Sequence, residues 1–230
     1  MLWSLIYRKL KGNRGNTMIT IYEFEKLKQL IRNKNQRITL QGNDFTFNTQ
    51  TQQIEVAQQT NQYLGRQTNI NILPRLVDKY SRGLQFETHL QAYILQNLEN
   101  INIFQDENIE WIGNEVSCGV GMQRIDIMLS VVRNDNKVCM PIELKSTEAY
   151  LEITKQVQRY IDWLKQYYLP NRPSDLEPMI ISRQIQNKSQ QNYLDLVQEF
   201  NTFNTQNNLR LRYIEFNVIN QNINFQEVIY

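Results

Sequence analysis

Three ionisable residues stand in stretches otherwise built of Ile, Leu, Val and Met. They are Asp126 in RIDIML, and Glu143 and Lys145 in PIELK. In a strand, alternate side chains share a face. Arg124, Asp126 and Met128 therefore share one face, with Ile125, Ile127 and Leu129 on the other. Glu143 and Lys145 share a face, opposite Ile142 and Leu144. A hairpin between the two strands brings both polar faces to one end of a sheet. Charges are costly to bury without partners. Two adjacent carboxylates also repel, and their pKa values rise unless a cation neutralises them. A hard divalent cation does this best; Mg2+ is usually held by one or two carboxylates plus substrate phosphate. The neighbouring ammonium would orient or help deprotonate a metal-bound water, or stabilise charge in the transition state. The set suits phosphodiester hydrolysis.

Those strands need a scaffold, and the chain carries the signals for one. Apolar residues recur at helical spacing over 19–34, through Ile21, Phe24, Leu27, Leu30 and Ile31. Short strands are expected next, at Ile38–Leu40 and Phe45–Phe47, flanking a Gly42-Asn43-Asp44 turn. Residues 57–72 are rich in Gln, Asn and Thr and read as a linker. An amphipathic helix over 84–98 contains Glu87. NIEWIGNEVSCG, QRIDIMLSVV and KVCMPIELK are three strands, the last two joined by a turn at Arg133–Asn136. A long helix follows, about 149–168, with Ile153, Val157, Ile161, Leu164 and Tyr168 as its apolar stripe. Pro170 and Pro173 stop it. PMIISRQI is a strand, 189–203 a helix, and LRLRYIEFNVI a last strand. The expected fold class is α/β, a mixed central sheet flanked by helices with a small amino-terminal α+β extension. The division expected is 1–76 for the extension and 77–230 for the main domain.

The 230 residues include 41% hydrophobic and 21% charged side chains, which excludes a highly charged disordered tail. Asn and Gln together number 53, more than the 48 charged residues, so much of the polar surface is uncharged. Net charge is only +2, but Met1–Arg37 holds nine basic and two acidic residues. That basic front is a handle for phosphate or a membrane surface, or simply a solvated helix face. Two cysteines, Cys118 and Cys139, are too few for a disulfide-stapled fold, and neither sits in a CxxC. The single histidine, His89, excludes a His-based metal cluster. The order of charge and apolar residues at the start is the reverse of a secretory signal, and no apolar run reaches 18 residues. The expectation is an intracellular, cytoplasmic protein without a membrane partner. Met18 offers a second start, which would leave the first 17 residues as a loose arm.

Asp126, sixteen residues, then Glu143-Leu144-Lys145 resembles the PD-(D/E)xK nuclease superfamily. Glu87 on the preceding helix, and Gln156 and Tyr160 in a QxxxY spacing on the following one, extend the likeness. The run GMQRIDIML…MPIELK…KQVQRYIDWL looks most like RecB-like proteins and the catalytic domain of archaeal NucS (EndoMS)-type nucleases. It covers residues 80 to 218. The resemblance implies a restriction-endonuclease-like core and a Mg2+-dependent deoxyribonuclease, with Mn2+ as substitute. Asp126 and Glu143 would be metal ligands, with the backbone carbonyl of Leu144 as a third. Lys145 would be the catalytic lysine. Glu87 would help through a water or a second metal, and Gln156 would order the site. Tyr160 would approach the DNA backbone, and Arg124 lies where it could meet a phosphate. Residues before 80 show no such likeness.

DNA is the expected partner, with a two-fold homodimer where both strands are cut. The compact core favours structure-dependent or low-specificity cleavage, in repair, recombination, or the processing of viral or mobile-element DNA. Other readings are an inactive nucleic-acid-binding module on the same fold, a sequence-specific restriction endonuclease, and an interaction protein that uses the Asn/Gln-rich segment.

Overall fold

The computed structural model describes residues 20–34, 45–48, 50–51, 53–56, 70–118 and 123–230. The expected amino-terminal arm, the Ile38–Leu40 strand, the Gly42–Asp44 turn and nearly all of the 57–72 linker lie outside these residues. The chain divides into two units, Ile21–Ile70 and the remainder. The smaller unit holds helix α1 (Ile21–Lys34) and an antiparallel hairpin of β1 (Phe45–Asn48) and β2 (Gln53–Val56). Thus Phe45–Phe47 pairs forward with Gln53–Val56. Asn48 Oδ1 shapes the connection by accepting from the amides of Gln50 and Thr51.

The larger unit is α/β with a mixed sheet. Its order is β3 (Asn108–Ser117), β4 (Arg124–Arg133), β5 (Asn136–Glu148), β7 (Met179–Arg183), β8 (Arg212–Ile219), β9 (Asn222–Val228). The two-residue β6 (Asp175–Leu176) also pairs with β5. β5, β7 and β8 run parallel; the β3–β4, β4–β5 and β8–β9 contacts are antiparallel. Helices are α2 (Leu73–Ser81), α3 (Glu87–Asn97), α4 (Ile153–Trp163) and α5 (Gln191–Asn207). A π-helical turn, Leu164–Tyr168, extends α4 and ends just before Pro170.

Glu143, Ile180 and Tyr213 are register partners and so share a face. α4 and α5 cover it: Tyr160 reaches Glu143, and the Phe200 ring lies 5.2 Å from that of Tyr213. The other face carries Leu144, Ile181 and Phe216; Phe86, at the start of α3, meets Phe216 edge-on at 5.9 Å. Helices on both faces explain why Ile125 to Leu129 includes four fully buried side chains, three on one side and Met128 on the other.

Several boundaries differ from the sequence reading. The split falls at 70/71 because α2 belongs to the larger unit, where Leu76 and Val77 are buried. α2 itself was not foreseen, nor were β6 and β9. The long helix starts at Ile153, after a turn at Leu151-Glu152 in which Glu152 has φ 73°. The turn between β4 and β5 is where expected: Asn134 and Asp135 both have positive φ, as a tight hairpin requires. Cys118 and Cys139 are buried free thiols. Among the described residues no helix is long and apolar enough to cross a membrane.

Candidate active site

The site forms where two strands part. β4 and β5 stay paired as far as Ile127 with Ile142. Beyond that, β4 continues along β3 and β5 along β7. Asp126 and Glu143, the next residues of each strand, stand at the fork. The β3 side is irregular too: Glu115, between the Val116–Ile125 and Asn114–Ile127 pairs, has φ 51°. The ladder interruption lets the Asp126 carboxylate turn toward β5. Its Oδ2 accepts from the Leu144 amide at 2.8 Å.

Glu143 is 1% exposed, and both of its oxygens are engaged. Oε1 accepts from Lys145 Nζ at 2.6 Å, and Oε2 from the Tyr160 hydroxyl at 2.6 Å. Gln156 Nε2 in turn donates to the Tyr160 oxygen at 2.8 Å. α4 thus orders Glu143 through a two-step chain. α3 supplies two contacts from the other face. Gln91 Nε2 donates to the Asp126 carbonyl at 2.7 Å, and Glu87 Oε1 accepts from the Ser146 amide at 3.4 Å.

α4 is held at its first turn by a distant residue rather than a local cap. Glu199 on α5 accepts from the Glu152 amide at 2.8 Å and from the Thr154 amide at 3.4 Å. It also accepts from the Thr154 hydroxyl. A carboxylate here satisfies orphan amides and complements the helix dipole.

Electrostatics follow from this packing. Burial, then the Glu143 charge, pushes the Asp126 carboxyl up to about 7, against the opposing pull of the Leu144 amide and Lys145. Burial also raises Glu143, although Lys145 and the Tyr160 hydroxyl favour its charged form. For Lys145, burial acts to lower the pKa, but Glu143 outweighs it and the ammonium is held above its usual range. Burial and the Glu143 charge push the Tyr160 hydroxyl well up. Glu87 adds to the negative field on Asp126 and Glu143.

The structure therefore brings Asp126, Glu143, Lys145, Gln156 and Tyr160 together, with Glu87 at the margin. Leu144 enters through its backbone amide, and its side chain is buried in the core. Two placements differ from expectation. Tyr160 is 1% exposed and bonded to Glu143, so it is an internal support and not a surface for a DNA backbone. Arg124 pairs with Glu115 at 2.6 Å, so its charge is already matched. Gln91 and Glu199 were missed. Neither carries a sequence signal, because each acts on a backbone amide or carbonyl far away in the chain.

Among the described residues no group of three or more His, Cys, Asp and Glu side chains is gathered to hold a metal. The available carboxylate donors are Asp126 and Glu143. Burial lifts both above the ordinary range; the Glu143 charge adds to the shift of Asp126 and the Glu87 charge to that of both, as expected of carboxylates with too little positive charge beside them. That donor set fits a hard cation that keeps several waters. No protein-family model matches the chain, and no curated protein matches it.

Proposed function

We propose that this protein is a metal-dependent nuclease that hydrolyses DNA phosphodiester bonds. The observation that carries the reading is the meeting of Asp126, Glu143 and Lys145 at the fork between β4 and β5. The resemblance to PD-(D/E)xK nucleases supplies the reaction class. Asp126 and Glu143 would hold Mg2+ or Mn2+, and the Leu144 carbonyl is the third donor implied by the resemblance. The bound ion would supply Lewis acidity and an acidified water. Lys145 keeps Glu143 charged and places an ammonium beside the reacting phosphate. Tyr160 and Gln156 fix the Glu143 carboxylate in one orientation. Asp126 is fixed by the Leu144 amide. Glu87 stands close enough to strengthen the local negative field.

The proposed setting is intracellular, with structure-dependent or low-specificity cleavage. The test is a panel of single-stranded, duplex, flapped, mismatched and four-way DNA with Mg2+, Mn2+ or EDTA. Asp126→Ala is the control. Cleavage that needs metal and Asp126 is expected, and the ranking of substrates gives the class.

A second reading is an inactive nucleic-acid-binding module. What favours it is that both Glu143 oxygens already have protein partners. DNA binding with no metal-dependent cleavage of any substrate is its signature.

A further inference from the structure

Arg183, the last residue of β7, has no assigned role in the reaction. Its guanidinium lies over the Tyr80 ring, 4.1 Å from the centroid. Tyr80 is itself held by packing, at 6.2 Å from the Phe86 ring and 6.3 Å from that of Phe216. Arg183 as a residue is half-buried. Among the described residues, no carboxylate lies within ion-pairing distance of it, and its five N–H donors have no protein partner. The other half-buried arginines in this unit are treated differently. Arg124, Arg133, Arg172 and Arg212 each pair with at least one glutamate.

The position of Arg183 is informative. β5 and β7 are in register at Leu144 with Ile181, and again at Glu148 with Arg183. Four steps on β5 thus match two on β7, so Lys145, Ser146 and Thr147 form a bulge bracketed by these two pairs. Arg183 lies level with the bulge that carries Lys145. Glu148 is its backbone neighbour, yet the two side chains make no ion pair.

A cation on a half-buried residue without a counter-charge is costly to the extent that it is desolvated, unless something anionic joins it. Stacking on an aromatic ring fixes its plane at low entropic cost and leaves the edge donors free. That fork matches two oxygens of a phosphate. We infer that Arg183, braced on Tyr80, binds a backbone phosphate of the nucleic acid flanking the one that is cut. The inference rests on the nuclease reading for the identity of the ligand. It assigns a substrate contact on the α2–α3 side of the sheet, where the motif residues offer no cation.

The test is binding of fluorescently labelled single-stranded and duplex DNA in EDTA, followed by anisotropy across a salt series. Arg183→Ala, Arg183→Lys and a control, Lys165→Ala, are compared with wild type, with thermal melts to confirm folding. Arg183→Ala is expected to weaken binding about tenfold. It should also reduce the slope of log K against log salt by about one unit, the share of a single phosphate contact. Arg183→Lys keeps the charge but loses the fork, and should fall between. Lys165→Ala should match wild type. Equal affinity and slope for wild type and Arg183→Ala, or no DNA binding by wild type at all, overturns the inference. Metal-dependent cleavage is scored separately. Cleavage by wild type with Arg183-independent binding overturns this contact and leaves the nuclease reading standing. Arg183-dependent binding without cleavage does the reverse.

Discussion

The Leu144 amide donates to Asp126 Oδ2 at 2.8 Å, across two strands whose ladder has already ended. A side chain has taken the place of a strand partner. The bond fixes the carboxylate at the fork, and it depends on the two strands parting just there. Asp126 is therefore held by strand geometry, while Glu143 is held by the neighbouring helix.

The first prediction concerns pH. The Asp126 carboxyl stands at about 7 in the folded protein without metal, above the 3.8 of an ordinary aspartate. The folded state then binds more protons than the unfolded state between those values. The contribution of Asp126 to stability falls as pH rises through that window. In EDTA, the melting temperature should drop by several degrees between pH 5 and pH 8. Asp126→Asn should flatten the dependence and melt higher than wild type at pH 8. A wild-type melting temperature that rises over this range contradicts the electrostatic account.

The second concerns Tyr160. Its hydroxyl donates to Glu143 and accepts from Gln156 inside a buried site. Tyr160→Phe removes one partner from a buried carboxylate, at a cost of about 1–3 kcal/mol. It should also weaken Mn2+ binding several-fold by calorimetry. Gln156→Ala, one step further out, should do less of both. An unchanged Mn2+ affinity in Tyr160→Phe removes Tyr160 from the support of the site.

The third concerns Glu199, which caps α4 from another helix. Glu199→Ala should cost about 1–2 kcal/mol in denaturant unfolding, as for loss of a helix cap. Glu199→Gln keeps an acceptor and should recover part of that. Equal stability of Glu199→Ala and wild type would show that the cap contributes nothing.

The fourth concerns the β3–β4 pairing. A Cβ at Gly113 would lie 2.1 Å from the Trp111 ring and 2.4 Å from Val116. Trp111 and Val116 are both buried, so neither yields freely. Gly113→Ala should cost about 1–3 kcal/mol. A neutral result would mean that the Trp111 ring moves aside.

The sequence carries the main strands and the carboxylate set clearly. Asp126, Glu143 and Lys145 stand out because charged residues are rare in strands buried on both faces. Other features lacked a local signal. β9 was hidden because its turn is Asn220-Gln221, with positive φ at both residues but no glycine. Only Ile223 and Phe225 are buried in that strand, too short an alternation to notice among Asn and Gln. α2 is a nine-residue helix with Pro74 in its first turn, so its apolar period is brief. Tyr160 reads as a DNA contact only through its QxxxY spacing from Gln156. It lies seven residues after Ile153, which puts it equally on the apolar stripe, and the core claimed it. Polar residues that bond to remote backbone, such as Gln91, leave no pattern at all.

The most direct test is cleavage of labelled single-stranded and duplex DNA by wild type and Lys145→Ala, in Mg2+ and in EDTA. Folding and Mn2+ binding are checked for both proteins. Wild type should cleave in Mg2+ and not in EDTA. The folded Lys145→Ala protein should cleave at least about a hundredfold more slowly, on the scale of losing a group that acts in the transition state. No cleavage by folded wild type, or equal cleavage by both proteins, would contradict it.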